Sequence, residues 1–354
     1  MRVLFNVAHP AHVHLFKNPI SILQRKGHEI KIAALQREIT EELLRTLGLQ
    51  YVSIGKSHPE LVVKSLDTMR RDLTMARMIK GFGPDLVVST GIPYSAQAAR
   101  ICGVPAIAFS DTEIANLVLR SMLPFVSAVC TPSCFDLDLG PKHIKYDGYH
   151  ELAYLHPDYF TPNPMVLDRF ELKRGEPYIL LRISAADSSH DLKRGDTLLA
   201  DDARALSFVD WLGQFGRVMI TSELPLPQQL EKYELNIKPY EMHDLMAYAA
   251  MYIGEGATMA SEAGVLGIPW IYVSSTTRGY LVDQQAKYGL GRTVPRWDSV
   301  KDQAAKWMRT RNLKSSWQTR REELLRDKID VVAFITEFIE DWPDSLCRHS
   351  GGNR

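Results

Sequence analysis

No hydrophobic stretch of this sequence reaches the roughly 18 residues that cross a bilayer as a helix, so no membrane-spanning helix is expected. Cysteine is scarce. The four present, Cys102, Cys130, Cys134 and Cys347, are scattered; Cys130 and Cys134 have no second pair with which to complete a zinc site. They read as buried free thiols of a reducing compartment. Net charge is absent too: 42 Lys and Arg balance 42 Asp and Glu, which argues against a general nucleic-acid binder. The first residues, Met1 to Ala8, are too short for a signal-peptide core and run straight into His9. They read as a first strand, and a cytoplasmic location is expected.

What is present is ordinary in bulk and ordered in detail. The 354 residues are 45% hydrophobic and 24% charged, the composition of a globular chain long enough for two domains. Strand patterns at 2–8, 28–35, 51–54, 85–89, 105–109 and 128–131 alternate with helical patterns at 16–25, 37–47, 60–79, 94–101 and 114–122. Pro157, Pro162 and Pro164 then break the rhythm as a linker would. It restarts with strands at 178–183, 217–221, 251–253, 270–273 and 292–294, helices including 199–212 and 243–249, and a long helical pattern at 314–339. Apolar strands separated by helices imply parallel sheets covered on both faces. The expected fold is α/β: two doubly wound, Rossmann-like domains, residues 1–160 and 165–325, facing across a cleft. Ligands of such sheets bind beyond the carboxyl ends of the strands, which makes that cleft the expected site.

The sharpest motif is Gly254-Glu255-Gly256-Ala257-Thr258, between the strand at 251–253 and a short helical pattern. Free N–H groups at a helix start hold an anion. Glu262 lies about one and a half turns further in, too far for that phosphate but suited to the hydroxyl pair of a ribose. Together they read as a nucleotide-diphosphate pocket. Arg182 is a cation inside an apolar strand and needs a partner, either a diphosphate held by its planar fork or a structural carboxylate. Ser184, His190 and Asp191 follow it at the expected rim, and the polar stretch from Thr276 to Gln284 and Gln285 reaches the same edge.

The first half offers acid–base chemistry. His9, His12 and His14 follow the first strand. His12, placed mid-loop before a helix, is the first choice for a general base; His14 is a cleft-lining candidate. Structural roles remain open, and no acid or cysteine among them supports a metal site. Thr90, before Gly91-Ile92-Pro93-Tyr94-Ser95, either holds polar substrate groups or belongs to a plain turn. Asp111 and Glu113 bind sugar hydroxyls or serve as acid or base, or Asp111 or Thr112 caps a helix. His150 and Glu151, in Asp147-Gly148-Tyr149-His150-Glu151, either line the cleft floor or pack at a hinge. Apolar residues with Arg120 at 117–125 suit peripheral membrane contact on the cytoplasmic face, or simply a helix packed on a sheet.

The segment from Gly256 to Ala263, the Leu266-Gly267-Ile268-Pro269 turn and Asp283-Gln284 resemble the donor site of GT-B glycosyltransferases. The likeness is sharpest to the N-acetylglucosaminyltransferase that completes the peptidoglycan lipid precursor. UDP-N-acetylglucosamine 2-epimerases share that fold and a similar segment. The phrase from Asp147 to Leu155 is typical of an uncharacterised prokaryotic GT-B-like family, a domain of unknown function. The resemblance implies that Gly256, Ala257 and Thr258 hold the diphosphate, Glu262 the ribose, and Gln284 or Gln285 the donor sugar. His12 lies where the transferases carry a Gly-Gly-His loop, but both glycines are missing here. A final helix, 326–345, is expected to return to the first domain. The implied function is inverting, metal-independent transfer from a UDP-sugar or related nucleotide sugar, with no cofactor, to a glycan or lipid-linked acceptor. The alternatives are a nucleotide-sugar 2-epimerase, using Asp111, Glu113, Glu151 and His190, and a non-catalytic nucleotide-sugar-binding protein.

Overall fold

The computed structural model describes residues 1–56, 61–113, 116–184 and 197–350, without the side chains of 56, 61–69, 116–117 and 350. The chain forms two compact units, Met1–Tyr154 together with Ile329–Arg354, and Leu155–Lys328.

Among the described residues the first unit holds a parallel sheet of seven strands: β1 (Arg2–Val7), β2 (Glu29–Gln36), β3 (Val52–Lys56), β4 (Leu86–Thr90), β5 (Ala106–Phe109), β6 (Ala128–Pro132) and β7 (His143–Tyr146), in the order β3-β2-β1-β4-β5-β6-β7. Every residue of β4, β5 and β6 is buried, because helices cover both faces and the strands must be apolar on both sides. The edge strand β7 escapes sequence reading. It has four residues, His-Ile-Lys-Tyr, too few to show a period, and its exposed Lys145 guards the sheet edge.

Two helical boundaries differ from expectation. The first helix spans Pro10–Arg25 rather than starting near residue 16. Pro10 sits at the first helical position, where no N–H is needed, and His9 caps the end by accepting from the Ala11 N–H at 3.2 Å. His12 and His14 therefore stand on the opening turns of a helix, not in a loop. The tail is two helices, Leu313–Asp327 and Val331–Glu340. Between them the chain leaves the second unit, and the Ile329 N–H binds the Asp147 carbonyl at 2.9 Å. Asp330 then caps the new helix through the Ala333 N–H at 3.0 Å. Helix Val331–Glu340 packs on helix Pro10–Arg25, burying Val331, Val332, Phe334, Ile335, Phe338 and Ile339. Each such side chain stabilises by roughly 1.5–3 kcal/mol relative to exposure. Gly148 is required at this contact, since a Cβ there would lie 2.4 Å from Val331 Cγ2.

The second unit repeats the plan with five described strands: β8 (Tyr178–Ile183), β9 (Arg217–Ser222), β10 (Met251–Gly254), β11 (Trp270–Val273) and β12 (Gly291–Val294), parallel in the order β12-β11-β10-β8-β9. In each sheet the strand order reverses once, between β1 and β4 and between β8 and β10. The loops leaving those strands diverge and open a crevice at their carboxyl ends, so sheet topology alone nominates two places for ligands.

Candidate active site

At the first reversal, β1 delivers His12 and β4 delivers Thr90, with β5 and β7 supplying Asp111 and His150 nearby. His150 Nδ1 lies 3.1 Å from Asp111 Oδ2. Burial opposes ionisation of Asp111, but His150, the Thr112 hydroxyl and His12 outweigh it and hold the carboxyl at about 2. An ionised carboxylate only accepts hydrogen bonds. The His150 Nδ1–H therefore donates to it, which fixes the ring's orientation. The His150 Nε2 is buried and has no hydrogen-bond partner. The ring is held from behind as well: it stacks on Tyr146 (centroids 6.4 Å, 11° between planes), which stacks on Phe334 of the returning helix at 4.7 Å.

His12 has the opposite polarity. Its Nδ1 accepts the Ala8 N–H at 3.1 Å, so the neutral ring carries its proton on Nε2 and donates from there. Burial, and next the neighbouring His9, push its pKa down to about 3. It is a neutral donor at physiological pH rather than a ready base. Glu113 is half-buried close by in sequence. His14 is 7% exposed and stacks on Tyr154 at 5.1 Å, and Glu151 is 1% exposed. Both are enclosed by the packing of the first unit.

Other polar groups at this reversal are buried without hydrogen bonds: the amide of Asn6 on β1, and the hydroxyls of Thr90, Tyr94 and Ser95 at the end of β4 and the start of helix Pro93–Ile101. An unmet buried polar group costs about 1–3 kcal/mol. Tyr94 and Ser95 had looked like turn residues in the sequence, and Asn6 like part of a strand. Nothing in a one-dimensional pattern shows that their polar atoms lack partners.

In the second unit, Arg182 on β8 stands in register with Gly254 on β10. The strands pass so closely that a Cβ on Gly254 would lie 2.5 Å from the Arg182 carbonyl oxygen. Gly256 begins helix Ala257–Val265 with no side-chain cap, and the half-exposed Gly256, Ala257 and Thr258 present the helix start. The Arg182 stem runs alongside, its Cγ 3.5 Å from a Gly256 Cβ position. Its guanidinium binds Glu223 at the end of β9, a partner that sequence reading missed because it lies 41 residues away. Glu255 is buried and receives the Ser184 N–H and the Trp297 Nε1–H, each at 2.9 Å. Those bonds tie the end of β8 to the turn after β10, although burial still raises the Glu255 pKa.

Two expected donor contacts fare differently in place. Gln284 is fully enclosed: its oxygen accepts from Trp270 Nε1 at 3.1 Å and its nitrogen donates to Ser261 Oγ at 2.8 Å. It clamps helix to strand and cannot touch a sugar. Gln285 is exposed, spends its oxygen on the Thr293 N–H at 2.8 Å, and lines a cavity of about 400 Å³ with Ser275, Thr276 and Thr277. Glu262 is 5% exposed and pairs with His243 Nε2 at 3.0 Å, so its carboxylate is already engaged. His190 and Asp191 lie outside the described residues. Among the described residues no helix is long and apolar enough to cross a membrane, and no group of three His, Cys, Asp or Glu side chains is arranged to hold a metal.

No curated protein matches the sequence. Solved structures do match the fold. The UDP-GlcNAc 2-epimerase from Neisseria meningitidis bound to UDP-GlcNAc aligns over 98% of this chain and 100% of its own, with a TM-score of 0.67 at 12% identity. The S. aureus MnaA–UDP structure aligns over 97% of both chains, with a TM-score of 0.71 at 12% identity. A glycosyltransferase from Streptomyces sp. complexed with thymidine diphosphate aligns over 95% of this chain and 99% of its own, with a TM-score of 0.60 at 15% identity. Over residues 1–286 the sequence matches the family described as "Protein of unknown function (DUF354)", and the chain belongs to that family and has the GT-B fold.

Proposed function

We propose that the protein is a glycosyltransferase that uses a nucleotide-diphosphate sugar, UDP-linked by preference, and inverts the anomeric centre without a metal. The observation that carries this reading is the Asp111–His150 pair, with its buried and unbonded Nε2. One oriented base is what inverting transfer needs. Nε2 takes the proton of an acceptor hydroxyl as the oxygen attacks the anomeric carbon and the bond to the nucleoside diphosphate breaks. His12, donating from Nε2, suits a hydrogen bond to a substrate oxygen. In the second unit the uncapped start of helix Ala257–Val265 suits the leaving diphosphate. The base role thus moves from His12 and Glu113 to His150. The acceptor, a glycan or lipid-linked glycan, belongs to the first unit.

An epimerase would ionise the sugar with no acceptor present, and the similarity to UDP-GlcNAc 2-epimerase structures keeps that reading in view. One incubation separates the two. With UDP-N-acetylglucosamine and a panel of glycan acceptors, the transferase releases UDP only when an acceptor is added. Accumulation of the 2-epimer or of a glycal without acceptor would overturn the proposal.

A further inference from the structure

The amino-terminal ends of the second sheet carry a cavity that the transfer reading does not use. It holds about 510 Å³ and is formed by residues of the second unit alone. Tyr178 opens β8, Ala250 precedes β10 and Pro269 precedes β11, and all three line it. The helix start at Ala257 lies beyond the opposite, carboxyl end of β10. The volume falls in the range of small-molecule sites, roughly 300–1,000 Å³.

Its walls are hydrocarbon. Leu167, Ile268 and Pro269 form them with the half-buried Met308 and Leu313. Ile268 and Tyr178 are each 1% exposed, so the cavity reaches from solvent to residues of the core. Its two hydroxyls are spent inside the protein. The Tyr178 hydroxyl donates to the Leu245 carbonyl, and the Tyr248 hydroxyl to the Pro162 carbonyl at 3.0 Å. The Ala250 N–H meets the Tyr178 carbonyl at 2.8 Å, and the Gly267 carbonyl accepts from Gln318 at 3.3 Å. A polar group would give up water there and find no partner in return, whereas an alkyl chain gains by leaving water.

The mouth has a different chemistry. Lys173, Arg174 and Lys314 are exposed and stand around it. A turn closed by the Glu176 N–H on the Lys173 carbonyl at 3.0 Å presents the first two. Lys314 Nζ stands 6.0 Å from the centre of the Tyr248 ring. Among the described residues these cations enter no ion pair. Glu176 is the one carboxylate of the cavity, and it accepts the Lys173 N–H at 3.1 Å. Three cations against one anion leave the mouth positive above an apolar interior.

We propose that this cavity binds a single-chain anionic amphiphile, taken up as a free monomer. The alkyl tail lies on Leu167, Ile268, Met308 and Leu313, and a carboxylate or phosphate head sits among Lys173, Arg174 and Lys314. A recessed cavity takes one chain, while adsorption to a bilayer needs an apolar face that enters the lipid. The site stands on the second unit alone and does not rest on the transferase reading. It leaves the carboxyl ends of β8 and β10 open, so its ligand does not compete with UDP.

The test titrates the full-length protein by calorimetry with decyl phosphate and with decanoate, each below its micelle-forming concentration, with and without UDP. Both are expected to bind, and the tighter of the two names the head. The octyl analogue of each, two methylenes shorter, should bind about tenfold more weakly. Arg174 and Lys314 are exposed, so a variant that joins Arg174→Glu to Lys314→Glu leaves the fold intact and should weaken binding by about tenfold. Failure of both amphiphiles to bind, decanol bound as tightly as the anions, or affinity unmoved by the double variant overturns the proposal. Displacement of the amphiphile by UDP overturns it as well, by placing the amphiphile at the carboxyl ends. So does binding to phosphatidylglycerol vesicles by a protein that ignores monomeric decyl phosphate.

Discussion

The two sheets reverse strand order in the same way, yet their reversal points are finished differently. In the second unit nearly every charged or amide group near the reversal already has a protein partner: Arg182 with Glu223, His243 with Glu262, Glu255 with Ser184 and Trp297, Gln284 with Trp270 and Ser261. Among the described residues, the uncapped start of helix Ala257–Val265 still offers backbone. In the first unit the balance is inverted. His150 Nε2, the Asn6 amide and the hydroxyls of Thr90 and Tyr94 are buried and unbonded. A prebuilt frame of fixed dipoles suits a ligand part that never changes, such as a diphosphate. Unmet side-chain groups suit the partner that reacts and the groups that select it.

The comparison can be broken most sharply at His150. His150→Ala should lower turnover by about 10²–10⁴, roughly 3–5 kcal/mol of barrier, with UDP affinity near wild type, and should also lower the melting temperature because Asp111 loses its partner. An unchanged kcat in a steady-state assay would return the base role to His12 or Glu113. Glu262 probes the other side. Glu262→Ala removes one half of a buried pair and should cost about 3 kcal/mol of stability in denaturant melts. Glu262→Gln keeps a hydrogen bond to His243, so a fall in UDP affinity in that variant, with stability retained, would restore the ribose contact. Gln284→Ala strands Trp270 Nε1 and should cost about 1–3 kcal/mol while leaving UDP binding alone; a selective loss of binding would contradict its clamp role.

His12 adds a pH dependence. The folded His12 protonates only near 3, against an ordinary 6.5 in the unfolded chain. Between those values the unfolded state holds one more proton, so acid favours unfolding. Stability should fall by up to roughly 1.4 kcal/mol per pH unit on going from 6.5 toward 3. His12→Asn should flatten that slope in melts collected across the range. An unaltered slope would mean that His12 is not the neutral ring described.

Much of the architecture was legible because it rests on local regularities. Apolar strands such as 86–90 and 106–109 announce burial on both faces, and Gly254-Glu255-Gly256 announces a turn where backbone comes close. Boundaries set by single atoms were less legible. The first helix begins at Pro10 because a histidine ring caps it, and histidine is an uncommon cap. The tail breaks at Lys328 because the Ile329 N–H meets Asp147, more than 180 residues away. The site residues divide the same way. Arg182, Asp111 and His150 were visible as polar groups at strand ends. Their partners were not, since Glu223 and the stack of Tyr146 on Phe334 exist only once distant segments meet.

The sequence by itself determined the alternation of strands and helices, and with it two parallel sheets whose strand ends collect functional groups. These follow from periodicity and turn chemistry, which act over a few residues. Tertiary structure decided which of those groups are spent and which are left. It closed Gln284 and Glu151 inside the packing, gave Arg182 and Glu262 partners, made His12 a donor and left His150 Nε2 without a hydrogen bond. Hydrogen bonding and desolvation depend on distances between segments far apart in the chain, and only the folded chain sets them.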